Sequence, residues 1–183
     1  MTGPRSWMPG RYWGVTAAEV GMELPCDSEL SGRTVVCDRV VDIAAPPELV
    51  FAWVCQLRAA PYSYDLLDNF GHRSPVIRDP KLTELVAGQH FMKLFALTGY
   101  TPGAQITLRA SGVAVTYAVH PVPAAGASRL HARVHFRGPR YLVAPLVFGD
   151  YLMMRKQLLT LKNLAEREAH PAPPADAEQP VPH

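Results

Sequence analysis

The sequence is short of the residues that usually announce a chemistry. Three cysteines, Cys26, Cys37 and Cys55, stand 11 and 18 residues apart. An odd number at those spacings makes neither a disulfide framework nor a C-x-x-C metal or redox pair. They are expected to be free, buried thiols in a reducing compartment, because Cys packs as a small hydrophobe. Net charge is scarce too: 18 Lys and Arg against 16 Asp and Glu leave +2, too little to predict a nucleic-acid partner. No run approaches the ~18 apolar residues of a membrane span. The opening MTGPRSWMPGRYWG has no apolar h-region, so no secretory signal is expected and the chain is read as cytoplasmic. Dinucleotide, Walker, H-E-x-x-H, EF-hand and G-x-S-x-G patterns are all missing, as is any internal repeat. No catalytic residue is assigned on these grounds, and no metal or cofactor is expected.

What is present reads as one domain with a core of its own. The 183 residues are 48% hydrophobic and 19% charged, ordinary for a globular chain. Residues 1–33, rich in Gly, Pro and Trp, are expected to be an arm laid over the domain. Within them Thr16 can cap a short helix, with Glu19 three residues on completing a capping box. Residues 34–169 form the domain. Residues 170–183 carry five prolines and almost nothing to bury, which predicts a disordered tail.

Inside the domain, TVVCDRVVDI (34–43) reads as a strand. PPELVFAWVCQL follows as a helix, with Pro47 in its first turn and Val50, Phe51, Val54 and Leu57 on one face. Pro61 and Gly71 bracket a second small helix over 61–70, with Leu66, Leu67 and Phe70 on its buried side. The runs 90–97, 104–110, 113–120 and 128–136 read as strands joined by short Gly/Pro-rich hairpins, and a further short strand is possible near Leu82–Val86. A long helix at 145–168 carries the apolar stripe Val147, Tyr151, Met154, Leu158, Leu161, Ala165, and Asp150 is read as a favourable charge near its start. This order predicts an α+β fold, a curved antiparallel sheet wrapped around the long C-terminal helix with two short helices after the first strand.

Alternation then assigns faces. In the last strand Arg129, His131, Arg133, His135 and Arg137 share one side, expected to face solvent and joined there by Arg109 if the neighbouring strand is in register. His131 and His135 are spaced H-x-x-x-H, but on a strand four residues span roughly 13 Å, too far to share one ion. Val113, Val115, Tyr117 and Val119 point inward, as do Ile106 and Leu108.

The stretches VVDIAAPPELVFAWV, GDYLMMRKQLLTLKNLAERE, RYWGVTAAEVGMELPCD and PYSYDLLDN together resemble the START/polyketide-cyclase superfamily (SRPBCC, helix-grip fold), in a bacterial, actinobacterial-like branch. The resemblance covers about residues 11–168. It implies a deep apolar cavity between sheet and helix, and members that bind lipids, sterols or polyketides or that cyclise or dehydrate them. It carries over no catalytic residue. The inward positions Ile106, Leu108, Val115, Tyr117, Leu130, Val134, Phe136, Tyr151, Met154 and Leu158 are the expected cavity lining, with Tyr62, Asn69, His72 and Arg73 at its rim. Three functions follow as expectations: binding of a small hydrophobic partner molecule, a cyclase, aromatase or dehydratase, or an interaction module using the basic outer face of the sheet.

Overall fold

The computed structural model describes residues 8–63, 74–123 and 126–171. Over these the chain runs β1 (Tyr12–Trp13), α1 (Ala17–Val20), β2 (Thr34–Ile43), α2 (Pro47–Cys55), β3 (His90–Phe91), β4 (Phe95–Thr101), β5 (Gln105–Ala110), β6 (Val113–Pro121), β7 (Ser128–Arg137) and α3 (Arg140–Ala169). Short 3-10 turns cover Pro25–Ser28, Gln56–Arg58 and Pro80–Thr83. The last of these replaces the strand expected near Leu82–Val86. One seven-stranded sheet has the order β1-β2-β7-β6-β5-β4-β3. All its pairings are antiparallel except β1 on β2. The architecture is α+β: the sheet closes on α3.

The elements form where local chemistry asks for them. α2 starts with Pro46 as N-cap and Pro47 in its first turn, where the missing N–H leaves no bond unmade. It buries Val50, Phe51, Trp53 and Val54. α3 begins five residues earlier than the apolar stripe suggests and carries Pro145 in its interior. Proline there forfeits one backbone bond, but it lies on the exposed side beside exposed Tyr141, where water can take the orphaned carbonyl. Asp150 therefore sits well inside the helix and not at its start. β2 shows why the sheet has a dry inner face: Val35, Cys37, Val41 and Ile43 alternate inward and join Val147, Leu158, Leu161 and Ala165 of α3 in the core. All three cysteines are free and buried, and burial pushes their thiols up, Cys26 to about 11 and Cys37 and Cys55 to about 12.

The outer face of β6 and β7 is not open to solvent. Residues 14–30 lie across it, and Leu24, Cys26 and Leu30 pack on Ala114 and Ala118. The expected solvent-facing basic stripe is corrected accordingly: His131, Arg133 and His135 are all buried. Arg129 lies partly covered against Glu19, while Arg137 and Arg109, the latter paired with Glu29, stay exposed. The arm can cover charges because it brings their partners. Arg133 donates to both Asp38 and Asp27 and to the carbonyls of Glu19, Val20 and Met22. His131 Nε2 donates to Asp38 Oδ1 at 2.9 Å. Gly14 permits the close approach: its φ is +68°, and a Cβ there would lie 2.1 Å from the Val40 carbonyl oxygen.

The capping box of α1 doubles as a clasp. Glu19 accepts from the Thr16 N–H at 2.7 Å, and Arg129 grips both its oxygens, at 2.5 and 2.9 Å. Burial works against the Glu19 carboxylate, but the hydrogen bonds from Arg129 and Thr16 outweigh it and hold its pKa at about 2, down from 4.5. Because the folded value is depressed, this stabilisation is complete above about pH 4.5 and disappears as pH falls toward 2. Glu19→Gln is expected to cost on the order of 2 kcal/mol near neutrality, discounted because Arg129 is partly exposed. The difference from the parent should vanish at acid pH. Urea unfolding of both chains across that range checks it, and a pH-independent difference would assign the loss to packing.

Candidate functional site

A cavity of about 610 Å³ opens between the inner face of the sheet and α3. β6 contributes Val113, Val115 and Tyr117, and β7 contributes Val134, which stands directly across from Val115. α3 contributes Asp150, Met153, Met154 and Gln157. The remaining wall is the turn between β3 and β4 together with Pro61 and Ser63. Residues 90–97 were expected to be one strand. Instead the strand breaks at Met92 and Lys93, whose φ values are 48° and 65°, a conformation that side chains other than Gly adopt at a cost. The Met92 N–H is held by the Leu57 carbonyl at 2.9 Å, and the turn sets Met92, Lys93 and Leu94 on the cavity.

Two polar pairs stand against this apolar wall. Tyr117 donates its hydroxyl to Gln157 Oε1 at 2.6 Å, and Gln157 Nε2 donates to the Pro61 carbonyl at 2.6 Å. The amide is thereby fixed in orientation and ties α3 to the segment after α2. Burial, reinforced by the nearby Asp150 charge, pushes the Tyr117 phenol far above its ordinary range, so this hydroxyl acts as a neutral donor and not as a phenolate.

The second pair is Arg39 with Asp150. Arg39 occupies an inward position of β2, 0% exposed, and its Nη1 bonds Asp150 Oδ2. The guanidinium also approaches the Gly10 and Val147 carbonyls at 3.3 and 3.4 Å and Met154 Sδ at 3.2 Å. Asp150 keeps 29% side-chain exposure and lines the cavity. Burial raises its pKa above the ordinary carboxylate range, against the pull of Arg39. A carboxyl whose ionised form burial disfavours, in contact with a fixed cation and an apolar cavity, can hold a ligand hydroxyl or exchange a proton with it.

Of the expected lining, Val115, Tyr117, Val134 and Met154 face the cavity. Ile106, Leu108, Leu130, Phe136 and Leu158 share the inner side but lie in the filled core, because alternation assigns a face and not the space opposite it. Tyr151 turns toward the arm: its ring lies 5.9 Å from the Arg39 guanidinium, and a Cβ on Gly10 would meet it at 2.6 Å. Tyr62, expected at the rim, is buried edge-on against Trp53 with ring centroids 6.2 Å apart. Asn69, His72 and Arg73, and all but the start of the small helix expected over 61–70, lie outside the described residues; Pro61–Ser63 are not helical. The polar pair Arg39–Asp150 was missed. Its signal was an arginine interrupting the inward alternation of β2 and a lone acid in the apolar run 141–154.

Among the described residues, one cluster brings ligating atoms together. Cys26, Asp27 and His135 lie within 4.8 Å of one another. Asp27, however, already accepts from the Leu24 N–H, from Arg133 and from His135, and the Arg133 cation shares that carboxylate. The Cys26 thiol, pushed up to about 11, donates to the Arg133 carbonyl. The group is a clasp between arm and sheet.

No protein-family model matches this chain, and no curated protein matches it in sequence. Solved structures resemble it in shape. A polyketide-cyclase-like protein from Corynebacterium glutamicum is 17% identical over 75% of this chain and 95% of its own, with a TM-score of 0.42. An AHSA1-like protein from Rhizobium etli is 16% identical over 82% and 93%, with a TM-score of 0.43. The di-domain aromatase/cyclase StfQ from the steffimycin biosynthetic pathway is 12% identical over 74% of this chain and 52% of its own, with a TM-score of 0.44.

Proposed function

We propose that this chain binds a small, largely apolar molecule, lipid- or polyketide-like, in the cavity between α3 and the sheet. The observation that carries the reading is the cavity itself: about 610 Å³, walled mainly by Val, Met, Leu and Phe side chains, with one carboxyl and one fixed amide–phenol pair. That size and mixture suit a small-molecule site, where apolar walls supply affinity and a few polar groups set orientation. The three methionines Met92, Met153 and Met154 give it soft, adjustable walls that pack well against rings.

Native mass spectrometry of the freshly purified protein, followed by denaturing extraction, tests for a carried passenger, and titration with Nile red tests an emptied cavity. One-to-one binding is expected. Val115→Trp, which fills the space with an indole, is expected to weaken Nile red binding by about tenfold or more, 1.4 kcal/mol, with unfolding little changed. Neither passenger nor dye binding, or dye binding indifferent to Val115→Trp, would defeat the reading.

One observation favours a second reading: Asp150 is a carboxyl of raised pKa inside that cavity. A cyclase, aromatase or dehydratase needs such a group within reach of the reacting atom. On this reading Asp150→Asn keeps Nile red affinity and abolishes turnover of a polyketide-like substrate. Tyr117→Phe changes turnover little, since its hydroxyl is engaged by Gln157. Turnover surviving in Asp150→Asn would remove the carboxyl from any chemistry.

A further inference from the structure

The first half of α3 carries more apolar surface than its packing uses. Tyr141, Leu142, Leu146, Phe148 and Leu152 are between 44% and 75% exposed. At helical spacing they make two adjoining stripes, Tyr141–Phe148–Leu152 and Leu142–Leu146, the latter running on to Met153 at the cavity. Leu94, 79% exposed, also lines the cavity, so the mouth opens beside this face. An exposed apolar patch of this kind marks an interaction site.

Among the described residues, the charges exposed along this face of α3 have one sign. From residue 137 to 156 the charged residues are Arg137, Arg140, Asp150, Arg155 and Lys156, and the single acid is turned inward onto Arg39. Arg137 and Arg140 stand exposed at the N-terminal end of the face. Arg155 and Lys156 stand exposed at its other end, three and four residues beyond Leu152, with Arg155 over the Trp13 ring at 5.4 Å. Lys93 is exposed next to Leu94. No described helix is long and apolar enough to cross a membrane.

We propose that this face docks on the surface of an anionic lipid bilayer, with the exposed leucines and aromatics entering the interface and the flanking basic groups meeting lipid headgroups. Apolar side chains bounded by Lys and Arg, with a tyrosine among them, suit a segment that lies on a membrane without spanning it. A second copy of the chain fits less well: a two-fold contact through this face would bring Arg137, Arg140, Arg155 and Lys156 of both copies together. Docking is independent of what occupies the cavity.

Co-sedimentation of the full chain with vesicles tests it, comparing phosphatidylcholine alone with phosphatidylcholine containing phosphatidylglycerol. Binding to the anionic vesicles only is expected, and it should weaken in high salt. Arg140→Ala and Lys156→Ala should each lower the partition about fivefold, and Leu142→Ser with Leu146→Ser should lower it about tenfold or more. All four positions are exposed, so melting temperatures should hold and a loss of partition reads the surface directly. Absence of binding, equal binding to both vesicle types, or a dimer that Leu142→Ser with Leu146→Ser converts to monomer in light scattering would overturn the proposal. The last result would assign the face to a copy–copy contact.

Discussion

Arg133→Met is expected to destabilise the protein by about 3–5 kcal/mol, the cost of breaking a buried ion pair by removing one partner. The side chain is almost wholly buried and its fork is fully used. Nε donates to Asp38 at 2.6 Å, Nη1 to Asp27 and the Met22 carbonyl, and Nη2 to the carbonyls of Glu19 and Val20. Burial opposes the charge, but the Asp38 and Asp27 carboxylates more than restore it and raise its pKa above the ordinary arginine value. Removing the guanidinium leaves Asp38, buried and with Oδ2 already unpartnered, with His131 as its remaining hydrogen bond. The Val20 and Met22 carbonyls of the arm lose the Arg133 donor at the same time, and the Glu19 carbonyl keeps only its bond from the Met22 N–H. Lysine should not rescue, since one ammonium cannot reach donors spread across a planar fork. Urea unfolding measures the loss, and hydrogen exchange over residues 8–30 should show the arm opening first. A loss below about 1 kcal/mol would mean that the apolar contacts of Leu24, Cys26 and Leu30 suffice to hold the arm.

That network marks where sequence reasoning reached its limit. Period-2 alternation in β7 correctly separates Leu130, Ala132, Val134 and Phe136 from Arg129, His131, Arg133 and His135. The inference that the second group meets water fails, because it takes charge as a sign of exposure. A charged face can be buried when another segment supplies matched acids, and here Glu19 and Asp27 sit on the arm and Asp38 on the neighbouring strand. The Thr16–Glu19 capping box was legible as a local pattern; that its carboxylate also holds Arg129, 110 residues away, was not. Elements with strong local signals, β2, α2 and the strands expected at 104–110, 113–120 and 128–136, fall close to their expected bounds. The Met92–Lys93 break does not show in the sequence: neither residue favours positive φ, and tertiary bonds impose the turn.

The candidate site divides the same way. Val115, Tyr117, Val134 and Met154 were readable because periodicity fixes direction. Gln157 and Asp150 were not, since a polar residue one turn from an apolar stripe is normally a solvated one. Arg39 is the instructive case. It stands in the inward series Val35, Cys37, Arg39, Val41, Ile43, where a charge is costly unless paired. Such a residue predicts a buried partner of opposite sign, and the one acid in the apolar run 141–154 is that partner.

The pair should respond asymmetrically to loss of either member, because only one of them can shed its charge. Asp150→Ala leaves a guanidinium with no exposure and with carbonyl contacts at 3.3–3.4 Å, and arginine cannot deprotonate to escape. A loss of about 3–5 kcal/mol is expected. Arg39→Met leaves a carboxyl that reaches the cavity and whose pKa burial already raises; it can take up a proton, so a loss of about 1–2 kcal/mol is expected. With Arg39 gone, the folded-state pKa of Asp150 rises further. Because that value is raised, the protonated form's contribution is present at acid pH and is lost as pH climbs through it, so Arg39→Met should weaken toward alkaline pH relative to the parent. Joining Arg39→Met with Asp150→Leu removes both charges and should return stability to within about 1 kcal/mol of the parent. Denaturant unfolding of the three variants measures all of this. If Arg39→Met proved the costlier single change, or the double change the costliest of all, the pair would be a source of stability and not a charge retained for the cavity. The expected order instead leaves Asp150 as a group kept in an apolar site at a cost, which is the condition under which a ligand hydroxyl at that position gains most from binding there.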